Sequence, residues 1–255
     1  MSISYRSEGS GEPIVFLHAF PLNRSMWERQ EAEFAATHRV ITFDWPGFGE
    51  SPLGEGEPGM DRFAECLVGL LDHLGLDRVH LCGLSMGGYA ALAFYRRWPE
   101  RIASLILCDT RATADTEEAR KGRYETAALA RRAGAAPLVE SMTPRLLGAT
   151  SLAERPDLVA RVREMILSSH PEGIARALIG MAERPDSTDL LAGIETPTLI
   201  VAGNEDKLTP PEEMRTMADA IPGAKFLIID RAGHLPNLEQ PSLFNQALRE
   251  FLPSR

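Results

Sequence analysis

Six short apolar runs recur along the chain, at residues 14–17, 40–43, 79–82, 105–108, 199–202 and 226–229. They are continuous rather than alternating, which is the pattern of strands covered on both faces of a parallel sheet. Between many of them apolar positions return at helical spacing, over 61–75, 86–98, 212–220 and 241–252. Strand alternating with helix predicts right-handed crossovers and a doubly wound, mostly parallel α/β sheet. Sheets of this kind bind ligands beyond the carboxyl ends of their strands. The residues expected there are His18-Ala19-Phe20, Asp44, Ser85, Asp109, Asp206 and His234.

Residues 111–190 break the rhythm. Helix-like stretches near 116–133, 136–148, 156–169 and 171–183 are punctuated by Pro137, Pro144, Pro156, Pro171 and Pro185, and no strand pattern appears. The segment carries 12 Lys+Arg and 12 Asp+Glu, whereas the rest of the chain carries 15 and 24 and so holds the whole net charge of −9. The division expected is a core of residues 1–110 and 191–255 with an all-helical lid at 111–190. An ordinary helical extension of the core is the alternative.

The acidic balance argues against nucleic acid or an anionic membrane surface as partner. Three cysteines, no C-x-x-C and no apolar leader after Met1 point to a reducing, cytoplasmic setting. No apolar run is long enough to span a bilayer. A small molecule is the expected partner, and either a monomer or a homodimer fits the pattern.

The chemistry centres on Gly83-Leu84-Ser85-Met86-Gly87, which stands between a strand pattern and a helix pattern. A serine at such a strand-to-helix turn sits on a sharp, strained elbow with its hydroxyl exposed, and glycines at 83 and 87 avoid collisions with the neighbouring elements. A hydroxyl needs a base, and the base needs an acid to fix its tautomer. His234, in the loop Asp230-Arg231-Ala232-Gly233-His234 after the last strand, is the leading base. His38 and His73 read as surface, His80 as mid-strand, His170 as the start of a helix in the 111–190 segment, and His18 as structural. Asp206 is favoured as the acid over Asp109 for its loop context, and over Glu205 for its shorter side chain; both aspartates satisfy the order serine, acid, histidine. Asp44 reads as a turn-fixing residue. The amides of Met86, at a helix start, and Phe20 are the candidate donors to a developing oxyanion. Leu138, Met142, Leu146 and Leu147 suggest an apolar acyl pocket, and Trp27 an aromatic wall. No metal-ligand spacing and no G-x-G-x-x-G after the first strand occur, so neither a metal nor another cofactor is expected.

Phe16-Leu17-His18-Ala19-Phe20-Pro21, Asp44-Trp45-Pro46-Gly47-Phe48-Gly49-Glu50-Ser51, Gly83-Leu84-Ser85-Met86-Gly87-Gly88, Gly203-Asn204-Glu205-Asp206 and Ala232-Gly233-His234 together resemble the lid-bearing α/β-hydrolase superfamily. The stretch 74–85 is similar to 3-oxoadipate enol-lactonases and related small esterases. The resemblance implies a serine hydrolase cleaving a carboxylic ester or lactone through Ser85, Asp206 and His234. A cofactor-free perhydrolase, suggested by Phe20 and Trp27, a carbon–carbon bond hydrolase on the same triad, and a non-catalytic ligand receptor are the alternatives. Three departures stand out: His18-Ala19 replaces the usual His-Gly, Trp45-Pro46 replaces Arg-Gly, and Ile3-Ser4-Tyr5 can supply only one abbreviated strand before Ile14.

Overall fold

The structure, a computed structural model, describes residues 3–253. Seven strands form one sheet: β1 (Tyr5–Glu8), β2 (Pro13–Leu17), β3 (Arg39–Phe43), β4 (Val79–Leu84), β5 (Ile102–Cys108), β6 (Thr198–Gly203) and β7 (Lys225–Ile229). Their order is β1-β3-β2-β4-β5-β6-β7, and every pairing is parallel except that of β1 with β3. The doubly wound α/β sheet therefore agrees with the sequence pattern. The strand before β2 is short and largely exposed, as an edge strand with a single partner can be. β7 departs from the pattern. Its run reads as doubly covered, yet Leu227 and Ile228 are each 39% exposed, because β7 is the other edge of the sheet.

Helices α1 (Glu28–Phe34), α2 (Met60–His73) and α3 (Met86–Arg97) connect the first strands. On α2, Phe63, Ala64, Leu67, Leu70 and Leu71 recur at spacings of three and four and are buried, while α3 is buried along almost its whole length. Between β5 and β6 run α4 (Glu117–Ala133), α5 (Ala136–Leu146), α6 (Ala149–Glu154), α7 (Pro156–Leu167), α8 (Pro171–Ala182) and α9 (Thr188–Leu191). Thr116 and His170 cap α4 and α8 by accepting the N–H groups of Ala119 and Glu172 at 3.2 and 3.1 Å. α9 packs on α10 (Pro211–Ala220) and runs across residue 190, so the boundary read from sequence falls inside a helix. α11 (Pro236–Glu239) and α12 (Pro241–Phe251) close the fold. The short elements α1, α6, α9 and α11 were not apparent from periodicity, since one or two turns hold too few positions to show it.

His38, expected at the surface, is only 8% exposed and contacts Thr37 Oγ1 at 2.8 Å. Its ring sits near those of Phe34 and His80, which draws it into the core edge.

Candidate active site

β4 is buried along its whole length and delivers Ser85 at its carboxyl end, immediately before α3. Ser85 has φ 55 and ψ −115, a backbone state that L-residues enter only under constraint. The constraint is close packing. A Cβ on Gly83 would lie 2.4 Å from the Gly87 carbonyl oxygen, and one on Gly87 would lie 2.2 Å from that of Leu17. Gly88, read from the sequence as the start of the helix, has the same need: a Cβ there would meet Thr110 Oγ1 at 2.5 Å. That hydroxyl in turn donates to the Ser85 carbonyl at 2.8 Å.

Asp206 and His234 stand in the loops after β6 and β7. His234 Nδ1 and Asp206 Oδ2 are 2.7 Å apart, and both side chains are almost fully buried. Asp206 also accepts the Leu208 N–H at 2.8 Å and the Thr209 hydroxyl, and that hydroxyl lies 3.3 Å from His234 Nδ1. Burial opposes ionisation of Asp206, but the His234 charge and these donors hold its pKa below the ordinary carboxylate value. Thr209 was missed by sequence reasoning, because a threonine before a proline carries no signal of its own.

Asp109 follows β5, is fully buried and has φ 41. Its Oδ1 accepts the Gly203 N–H at 2.8 Å, while Oδ2 has no hydrogen-bond partner among the described residues. Burial and the neighbouring Asp206 charge push its pKa well above the usual carboxylate value. Asp109, Asp206 and His234 each bring a ligand-type atom within 4.8 Å of the others. Two of these residues, Asp206 and His234, are already joined by their hydrogen bond.

The loop after β2 holds His18 between two backbone groups: Nε2 accepts the Trp45 N–H at 3.0 Å, and Nδ1 faces the Ala19 carbonyl at 3.0 Å. That pairing requires the neutral ring protonated on Nδ1, and burial lowers its pKa to about 4 despite the nearby Asp44. Asp44 accepts the Arg24 N–H at 2.7 Å and the Glu50 N–H at 3.0 Å and is paired with the Arg24 guanidinium, which pins the turn through Gly49. Among the described residues, the amides of Phe20 and Met86 have no acceptor.

Ser85, His234 and Phe20 line one cavity of about 370 Å³, together with Thr209 and Leu208. Met142, Leu146, Leu178 and Met181 give its apolar wall, so Met142 and Leu146 reach it. Leu138 does not; it is 1% exposed in the packing of α5. Leu147 is buried just after α5, also off the lining. Trp27, expected as an aromatic wall, stands elsewhere. It is completely buried between Phe16 and Phe244, with ring centroids 4.8 and 6.0 Å away, and is no part of the wall. This removes half of the aromatic pair on which the perhydrolase alternative rested. Trp27→Ala is accordingly expected to cost about 3–5 kcal/mol of stability, read as a lower urea midpoint, with relative rates across an ester series unchanged.

The cavity also carries charge that sequence reasoning missed. Arg111, Arg123 and Arg145 line it with Asp115 as the acidic counterpart. Asp115 is shared by Arg123 and by Arg184, the latter at 2.7 Å. Arg111 pairs with Glu213 at 3.2 Å, and its buried Nε has no partner among the described residues. Arg145 has neither ion pair nor hydrogen bond among them. A cationic lining in a chain of net charge −9 is a local arrangement that only the fold assembles.

A strained serine at a strand-to-helix turn, on a sheet of this order, defines a class. Residues 12–241 match the model of the alpha/beta hydrolase fold family, and the chain belongs to it. It is a hydrolase. Among curated relatives, it is 30% identical over 254 residues to 3-oxoadipate enol-lactonase 1 of Acinetobacter baylyi, covering 100% of this chain and 93% of the relative. It is 31% identical to a 2-hydroxy-6-oxononadienedioate/2-hydroxy-6-oxononatrienedioate hydrolase of Paraburkholderia phymatum, covering 99% and 91%. Among solved structures, a thermophilic esterase from Thermogutta terrifontis, determined with malate bound, superposes with a TM-score of 0.95 at 47% identity, covering 97% and 92%.

Proposed function

We propose that the protein hydrolyses a carboxylic ester or lactone through an acyl-enzyme on Ser85, and that the substrate carries a carboxylate. The observation that carries the reaction is His234, hydrogen-bonded to Asp206 behind it, lining one cavity with the strained Ser85. Ser85 Oγ attacks the carbonyl while its proton passes to His234, and Asp206 keeps the imidazole in the tautomer with its free nitrogen toward the serine. The amides of Phe20 and Met86, which have no acceptor among the described residues, stabilise the oxyanion. The proton on His234 then goes to the departing oxygen. Water, deprotonated by His234, cleaves the acyl-enzyme and releases the acid. Residues 111–190 act as the lid: they supply most of the cavity lining and keep water from the acyl-enzyme.

The esterase and enol-lactonase relatives support ester or lactone cleavage. The arginine-rich lining supports a carboxylate on the substrate, with Arg145 free to pair with it. The test compares a hemisuccinate ester with the butyrate ester of the same alcohol. The hemisuccinate is expected to have the higher kcat/KM, and added salt should narrow the gap. Arg145→Gln should remove roughly 3- to 5-fold of that preference, the scale of one partly exposed ion pair. Equal kcat/KM for the two esters in the unmodified protein would overturn the carboxylate reading and leave the hydrolase reading standing.

A further inference from the structure

Glu239 ends α11, five residues after His234, and is 2% exposed. A carboxylate so buried requires several donors. Its Oε1 accepts the N–H groups of Gly233 and Leu235, at 2.8 and 3.2 Å, which flank His234 on either side. Its Oε2 accepts the Gly148 N–H at 2.8 Å, from the turn between α5 and α6, and the Ser151 hydroxyl also bonds to the carboxylate. The N–H of His234 donates to the Leu146 carbonyl of the same turn at 3.1 Å. The three amides of 233–235 are thus all fixed, two by Glu239 and one by the helical segment itself.

The approach of the two loops leaves no slack. A Cβ on Gly233 would stand 2.2 Å from the Gly148 nitrogen, and one on Gly148 would stand 2.4 Å from Glu205 Oε2. Glu205, next to Asp206 in the chain, accepts the Thr150 N–H at 2.8 Å. The loop of the candidate acid and the loop of the candidate base are therefore tied to one turn, residues 146–151, by two carboxylates.

We propose that Glu239 is a positioning residue, whose carboxylate locks the His234 loop onto the turn at 146–151 so that the imidazole meets Ser85 only while that turn is seated. The inference rests on the triad reading of Ser85, His234 and Asp206. An imidazole displaced by about 1 Å can cost on the order of 100-fold in rate, so anchoring its backbone on both sides matters for catalysis and not only for folding. The anchor needs an acceptor on both oxygens. Glutamine can still accept from Gly233 and Leu235, but it turns an NH2 group toward the Gly148 N–H, setting donor against donor. Burial pushes the carboxyl pKa upward, and the amide and hydroxyl donors around it pull against that rise.

The experiment compares Glu239→Gln with the unmodified protein by kcat per active site titrated with a small phosphonate ester, by KM, and by the low-field proton resonance of the His234–Asp206 hydrogen bond. The expected result is a fall in kcat of about 10- to 100-fold, a KM shifted far less, and a low-field resonance that broadens or moves upfield in folded protein. A variant with a lower thermal midpoint but unchanged kcat per site and an unchanged resonance would overturn the proposal, because Glu239 would then be structural only. If the glutamine variant does not fold, Glu239→Asp, which keeps the charge and shortens the reach, is read in the same way. Failure of the unmodified protein to react with the phosphonate or turn over any ester would instead defeat the triad reading itself.

Discussion

Ser85→Ala is expected to lower kcat for ester hydrolysis by about 10⁴-fold or more, the loss that follows removal of a triad nucleophile, with the thermal midpoint nearly unchanged. The stability half of the expectation comes from the geometry. Serine and alanine both carry a Cβ, so the strain at φ 55 is the same in either protein. Ser85 lines the cavity and its hydroxyl makes no hydrogen bond among the described residues, so its removal leaves no buried partner among them unpaired. His234→Ala should be comparably severe, and the double variant scarcely worse than either, since nucleophile and base act as one unit. Steady-state turnover of a short-chain chromogenic ester measures all three. Residual activity above about a tenth in Ser85→Ala, against the 10⁴-fold scale, would remove Ser85 from the nucleophile role.

Legibility in the sequence followed the range of the interactions involved. The parallel sheet could be read because continuous apolar runs and the helices between them are local patterns, and the elbow because five consecutive residues hold its turn. The edge position of β7 could not be read, since exposure of Leu227 and Ile228 depends on strand order and not on their own run. Trp27 and Leu138 look the same in sequence whether they line a cavity or fill a core. Their places were settled by partners far along the chain, such as Phe244 for Trp27. The arginine lining escaped for the same reason: Arg111, Arg123 and Arg145 are scattered over a helical segment whose total charge is zero, and only folding brings them to one wall. Glu239 is the sharpest instance, because its partner Gly148 lies 91 positions away.

Asp206→Asn should cost kcat on the order of 10⁴-fold, because an amide facing His234 Nδ1 no longer fixes the reactive tautomer, whereas Asp109→Asn should leave turnover almost intact. Both aspartates stand beside the same histidine, so sequence order does not separate them. Their protonation does. Asp206 is held ionised by the His234 hydrogen bond and the donors of Leu208 and Thr209, and it is the one bonded to the imidazole. Burial and the Asp206 charge favour the protonated form of Asp109, for which asparagine is a close neutral replacement that can still accept the Gly203 N–H. The same contrast gives a pH signature in stability. In the unfolded chain an aspartate ionises near pH ~3.9, while in the fold Asp109 keeps its proton to much higher pH. As pH rises past that unfolded value, unfolding releases a proton that the folded protein retains, and stability is lost. Asp109→Asn abolishes this loss, so its thermal midpoint should exceed that of the unmodified protein at neutral pH, with the gap closing as pH falls toward about 4. Paired melting curves and kcat across that range test both halves. A dead Asp109→Asn variant beside an active Asp206→Asn variant would move the catalytic acid to the end of β5, and would require His234 to turn away from its 2.7 Å bond to do its work.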